Sequence, residues 1–333
     1  MARRSVVVVG MAPAVPRVRL GTNQPELRRD LILAALRRLP SLPILEVAAD
    51  AAALALCRRL AVASPQKLSF LSSLHAEWRA SPADASFTST ETADAQGVVP
   101  YFFVRQPPPA AAAWQRRLAW HASDALTPVY EELPRVLAED AAVCVRAAEL
   151  CGGADVYALT TMPGHHASEE TYGGYCFLNH AVLVVRLLQE AGKVPFLVDV
   201  DYHAGDGSAS FLGPAEMVSL HAAEDYPYVS PAQSWAIDVP PNADWAAYEP
   251  LLRQALSRRP SGCDVIVVSL GFDTLAGDPD ACDGHKFALQ PSDFASMRAV
   301  FNETGLPLLV LQEGGYDMEN LPSAAVAFWS SNG

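Results

Sequence analysis

No two of the six cysteines (Cys57, Cys144, Cys151, Cys176, Cys263, Cys282) are spaced Cys-x-x-Cys. In a chain of 333 residues, scattered thiols of this kind predict reduced core or surface cysteines, not a disulfide framework. Basic residues are also scarce: 24 Lys and Arg face 37 Asp and Glu, for a net charge of −13. That balance argues against an electrostatic grip on nucleic acid or an anionic membrane. It suits a cationic partner, although acidity also simply keeps a protein in solution. No apolar run reaches the length needed to span a bilayer. The opening MARRSVVVVGMAPAV is interrupted by Gly10 and Pro13, so VVVV reads as a first strand, not a signal peptide. A cytoplasmic location is the resulting expectation. Neither an internal repeat nor a break in composition is evident. With half of its residues hydrophobic, the chain predicts one domain over 1–333.

The first half reads as helical. Helices are predicted over 25–39, opening at Pro25, and over 64–80, with Ser64 as cap and Pro65 behind it. Small polar residues over 81–97 predict a surface loop, part of an insertion over 81–113. PPPAAAA (107–113) then leads into a long helical region reaching about Leu150. From there strands alternate with helices: strands over 156–161, 194–201, 216–221, 264–271 and 306–312, helices over 179–192, 245–259 and 292–305, and a helical tail. Val/Ile/Leu-rich strands alternating with helices predict an α/β fold of three layers, a mostly parallel sheet between two helical layers.

Such sheets bind ligands beyond the carboxyl ends of their strands. The polar clusters fall there: PGHH (163–166), DVDYHAGDG (199–207), SLH (219–221), GFD (271–273) and EGGY (313–316) each follow or end a predicted strand. In extended backbone, side chains two apart share a side, so Asp199, Asp201 and His203 converge. Asp201, His203 and Asp273 supply two oxygens and one nitrogen, a set suited to Zn²⁺ and also to Fe²⁺, Co²⁺ or Mn²⁺. Asp199 and Asp206 can each pair with one of the adjacent histidines, His165 and His166. Tyr316, after two glycines, can reach a developing oxyanion. Metal, base, acid and oxyanion donor describe amide hydrolysis. Each cluster alone has a duller explanation as a turn, cap or surface pair; their joint placement at one sheet edge favours a site.

PGHH, GGYCFLNH, DVDYHAGDG, SLH, GFDTLAGDP and EGGYD occur here in order. From about Thr160 to Asp317 the chain resembles the zinc-dependent histone deacetylase and acetylpolyamine amidohydrolase family, which has the arginase–deacetylase fold. The resemblance implies Zn²⁺ on Asp201, His203 and Asp273. It pairs His165 with Asp199 and His166 with Asp206, with His166 as general base and acid and His165 mainly an electrostatic partner. It gives Tyr316 the scissile carbonyl, and Tyr175 (with Gly174 before it) and Tyr226 the walls of a substrate tunnel. It also implies a potassium ion on the backbone carbonyls of Asp199, Asp201, His203, Ser219 and Leu220.

The chain departs from the family pattern at several points. TMPGHH stands for RPPGHH, Ala204 for a non-ligand histidine, and His180 for an asparagine; the segment from Asp206 to Ser219 is short. Asp280 falls where polyamine-selective relatives carry an acidic gatekeeper, which implies a small cationic acetylated amine as substrate. Protein lysine deacetylation is the runner-up within the family. The ureohydrolase branch of the fold fits poorly, because GFDTLAGDP and DVDYH lack its two-metal pattern. A non-catalytic acyl-ligand binder is the reading outside enzymology. A homodimer, with 81–113 reaching a partner, is an open expectation.

Overall fold

The computed structural model describes residues 3–11, 25–81, 97–222, 225–229, 233–282 and 284–330. Its frame is one sheet of eight strands: β1 (Ser5–Gly10), β2 (Ile44–Val47), β3 (Asp155–Leu159), β4 (Pro195–Asp199), β5 (Met217–His221), β6 (Ala236–Asp238), β7 (Val265–Leu270) and β8 (Leu308–Gln312). The order across the sheet is β2-β1-β3-β8-β7-β4-β5-β6. Every pairing is parallel, so the sheet is wholly and not merely mostly parallel.

Among the described residues, ten helices flank it: α1 (Pro25–Leu36), α2 (Ala51–Arg59), α3 (Pro65–Ala80), α4 (Trp114–His121), α5 (Leu133–Leu150), α6 (His180–Glu190), the short α7 (Asp206–Ala209), α8 (Trp245–Ser257), α9 (Asp293–Asn302) and α10 (Leu321–Ser330). The alternation of strand side chains divides the apolar residues between two layers. Val8 and Leu197 join the core beneath α2, α3, α5 and α6. Val7, Val9, Phe196 and Val198 face α1, α8, α9 and α10. Residues of β3, β4, β5, β7 and β8 are buried throughout, as a parallel sheet covered on both faces requires. This is the expected three-layer α/β arrangement.

Local chemistry sets the helix starts. Ser64 Oγ accepts the Lys67 N–H at 3.1 Å, with Pro65 as first helical residue. Asn179 Oδ1 accepts the Val182 N–H at 2.9 Å and starts α6 directly behind the GGYCFL segment.

Two readings need correction. The long helical region ending near Leu150 is two helices, α4 and α5. Between them Asp124 turns the chain, its Oδ1 accepting the N–H groups of Leu126 and Thr127 at 2.8 and 2.7 Å. Helix α1 stops at Leu36, short of the expected Leu39. Most of the predicted loop over 81–113 (82–96) lies outside the described residues, and 97–113 contains no helix or strand, only a bridge from Val98 to Val129. No helix of the described residues is long and apolar enough to cross a membrane.

Candidate active site

Beyond the carboxyl ends of β4 and β7 the chain brings together Asp201, His203 and Asp273, whose ligand atoms all lie within 4.8 Å of one another. Strand pairing makes this meeting unavoidable: Asp199 is in register with Ser269 across β4 and β7, so each strand delivers its next residues to the same place. His203 Nδ1 sits 3.4 Å from Asp201 Oδ1 and 3.2 Å from Asp273 Oδ2. Backbone donors fix the two acids. The Gly314 N–H reaches Asp201 Oδ2 at 2.8 Å, and the Tyr202 N–H reaches Asp273 Oδ1 at 3.0 Å. All three side chains are buried. Burial and the Asp201 charge drive the Asp273 carboxyl well above the usual carboxylate range. Two buried carboxylates converging with one imidazole fit a divalent cation, which would supply the missing positive charge.

Next to this trio stand the two histidines. His165 Nδ1 lies 3.1 Å from Asp199 Oδ2, and its Nε2 lies 3.6 Å from Asp201 Oδ1. His166 Nδ1 lies 2.8 Å from Asp206 Oδ1. Burial disfavours charge on His165, but Asp201 and Asp199 outweigh it and raise its pKa well above the ordinary value. Burial, reinforced by the neighbouring His165 charge, pushes His166 down to about 4. His166 is therefore neutral at pH 7, with its Nε2 available to take a proton.

Tyr316 is buried, and burial raises its phenol well above the ordinary value, so it is a hydrogen-bond donor. Its ring meets that of Tyr175 edge-on, centroids 5.8 Å apart, and the His166 ring meets Tyr226 at 4.9 Å. Gly174, at φ +53°, permits the approach: a Cβ there would lie 2.4 Å from His166 Cδ2. Tyr316, Tyr175, Tyr226, Gly174, both histidines and the trio line one cavity of about 240 Å³, together with Asp124, Leu126, Asp225 and Asp280. Asp280 lies close enough for its charge to help raise the Tyr316 phenol. Ser219 and Leu220 sit on β5, with Ser219 in register with Asp199.

Several site residues were not identified from the sequence. Arg28, on α1, is fully buried; its Nη2 donates to Thr161 O at 2.9 Å, its Nη1 to Glu313 O, and its guanidinium lies 5.4 Å from the Tyr316 ring centroid. Asp278 accepts the N–H groups of Tyr316 and Asp317, at 2.5 and 2.9 Å. Glu313 and Asp140 do the same for the histidine loop. An acid or arginine on a helix normally reads as a solvated face, and no pattern in α1 or α5 signals otherwise. A second group, His165, Cys176 and Glu313, also has ligand atoms within 4.8 Å of one another. Its members are committed elsewhere: His165 Nδ1 to Asp199, the thiol to Gly174 O, and the Glu313 carboxylate to three donors.

Residues 51–331 match the histone deacetylase domain model. The chain belongs to the histone deacetylase domain family. Among its relatives in that family, acetylpolyamine amidohydrolase 2 of Pseudomonas aeruginosa is 31% identical over 231 residues, 63% of this chain and 66% of that one. An acetylpolyamine amidohydrolase of Burkholderia pseudomallei is 28% identical over 292 residues, 82% of each chain. A crystal structure of acetylpolyamine aminohydrolase from Burkholderia pseudomallei superposes with a TM-score of 0.78 at 25% identity, covering 98% of both chains.

The departures from the deacetylase pattern now have a structural setting. Thr161 stands where the family's loop carries arginine, and it is Thr161 O that receives the guanidinium of Arg28. His180 is fully buried with no partner for either ring nitrogen among the described residues, and burial pushes it down to about 4. Ala204 is buried as well.

Proposed function

We propose that this deacetylase-family chain hydrolyses the acetyl, or another short acyl, amide of acetylpolyamines or similar small cationic amines. A zinc ion held by Asp201, His203 and Asp273 is part of the proposal, with Fe²⁺, Co²⁺ and Mn²⁺ as alternative occupants. A structural potassium ion on the backbone carbonyls of Asp199, Asp201, His203, Ser219 and Leu220 belongs to it too. The bound divalent ion supplies Lewis acidity and a water of lowered pKa.

The chain's own residues supply the rest. His166, neutral and oriented by Asp206, takes a proton from the attacking water and later returns it to the leaving amine. His165, oriented by its pairing with Asp199, is an electrostatic partner for the negative charge that develops beside it. Tyr316 donates its hydroxyl to the carbonyl oxygen as that oxygen becomes an oxyanion. Tyr175 and Tyr226 flank the aliphatic chain of the substrate, and Asp280 attracts its distal ammonium.

One observation carries the reading: the donor trio, both histidines, Tyr316 and Asp280 line a single small cavity, with Asp199 and Asp206 paired to the histidines from behind its wall. The deciding experiment compares kcat/KM for acetylputrescine, acetylspermidine and an acetyl-lysine peptide on zinc-loaded protein. Preference for the two polyamines is the expected result. Preference for the peptide replaces the proposal with protein lysine deacetylation. No turnover at full zinc occupancy replaces it with a non-catalytic acyl-ligand binder.

A further inference from the structure

The segment 161–166 carries both histidines, and its backbone is held in an unusual way. Its N–H groups find neither a strand nor a helix partner. The N–H groups of Thr161 and Met162 donate to the two carboxylate oxygens of Asp140, at 2.7 and 3.0 Å. Pro163 has no N–H to give. The N–H groups of Gly164 and His165 both donate to Glu313 Oε2, at 2.6 and 3.1 Å. Every backbone donor from 161 to 165 is thus taken by one of two buried carboxyl groups. These come from distant places, Asp140 from the middle of α5 and Glu313 from the end of β8. The other Glu313 oxygen accepts Ser269 Oγ at 2.9 Å, which ties the loop to β7. On the opposite side the Ser208 N–H holds His165 O at 2.9 Å.

A backbone carbonyl would satisfy these amides more cheaply, because a buried carboxylate forfeits its hydration. What the carboxyl group adds is reach and direction: one side chain takes two amides at once, with charge-assisted strength in its ionised form, while burial pushes both acids up to about 7. The need is evident from the load. The two imidazoles stand with centroids 4.0 Å apart, and each must face a different aspartate. A loop free to shift would misalign both at once.

We propose that Asp140 and Glu313 are positioning residues for the reaction, a pair of carboxylate clamps that fix the backbone of the histidine loop and thereby the two His–Asp pairs. The inference rests on the deacetylase reading for its kinetic consequence, but the clamp itself is a structural claim.

The test uses Glu313→Ala, Glu313→Gln, Asp140→Ala, Asp140→Asn and the milder Ser269→Ala, each loaded with zinc and checked for metal content. Loss of Glu313 is expected to lower kcat about 100-fold while KM moves less than about threefold, the mark of misplaced catalytic groups. Glu313→Gln and Asp140→Asn keep an acceptor oxygen and are expected to recover to within about tenfold of the parent. Ser269→Ala, which leaves both loop amides paired, is expected to fall less than Glu313→Ala. A Glu313→Ala protein that binds zinc, is less stable, yet keeps kcat within about threefold of the parent overturns the proposal. So does a glutamine variant no better than alanine. Hydrogen exchange over 160–166 decides independently of activity: protection there is expected in the parent and lost selectively in the alanine variants. If the zinc-loaded parent turns over no acetylated amine, the functional reading falls and exchange alone judges the clamp. Exchange as fast in the parent as in the variants overturns it.

Discussion

His165 and His166 are adjacent in the chain, with ring centroids 4.0 Å apart, yet their surroundings drive their protonation in opposite directions. Asp199 and Asp201 both act on His165, whereas burial, the neighbouring His165 and the nearby His203 outweigh the part-exposed Asp206 at His166. In the proposed mechanism the pair divides its work. His166→Ala is expected to lower kcat by about 10²–10⁴, the range for a lost general acid–base. Asp206→Asn is expected to lower it less, because His166 keeps its ring. Steady-state kinetics at equal zinc content measure both; a His166→Ala enzyme as fast as the parent contradicts the assignment.

Metal removal is expected to act on stability as well as activity. Asp201, His203 and Asp273 are buried together, and an ion that binds only the folded chain stabilises it by about 2.7 kcal/mol at 100 times its Kd. Zinc should raise the Tm of chelator-treated protein. Asp273→Asn should weaken that response, and calorimetry with and without zinc shows whether it does.

In the proposed function the Asp280 carboxylate, which lines the cavity, is the specificity element. Asp280→Leu is expected to lower kcat/KM for acetylspermidine about tenfold, a solvent-screened fraction of the bare Coulomb energy. The acetyl-lysine peptide should be nearly unaffected. Equal losses on both substrates would mean that Asp280 shapes the cavity without reading charge.

His180 gives a pH dependence that can be isolated. Its folded-state pKa is depressed to about 4 by burial, against an ordinary value near 6.5. Between those values the unfolded chain binds the proton and the folded chain does not, so stability falls as pH falls from 6.5 through 4. Above pH 6.5 both states are neutral and nothing is lost. His180→Leu is expected to match the parent within about 1 kcal/mol at pH 7.5 and to exceed it by on the order of 3 kcal/mol at pH 4. Urea titrations at the two pH values make the comparison; identical pH slopes would contradict it.

How much of this was legible follows from where each signal lies. The buried strands β3, β4, β7 and β8 read directly, because apolar runs bounded by Gly, Asp and His leave few alternatives. Their carboxyl ends gave the positions of Asp201, His203, Asp273 and Tyr316 through the parallel-sheet rule alone. Strand β2 escaped: Ile44–Val47 has four residues at a sheet edge, only partly buried, and no alternation to detect. The break between α4 and α5 was missed although Ser123, Asp124 and Pro128 mark it; only a glycine was lacking. Arg28, Asp140 and Glu313 escaped for a different reason. Their roles are set by backbone groups more than 20 positions away, and charge on a helix or at a strand end carries no mark of its partner.

Strand β7 lies between β4 and β8 in the sheet, although β5, β6 and α8 intervene in the chain between β4 and β7. His203 and Asp273, 70 positions apart, therefore become neighbours only after β7 has paired with β4. A growing polypeptide that has reached α8 holds two donors on β4's trailing loop and lacks the third. An ion held by all three, as proposed, would close a β4–β7 pairing already made and could not precede it, and pairing over so long a separation is expected to be slow.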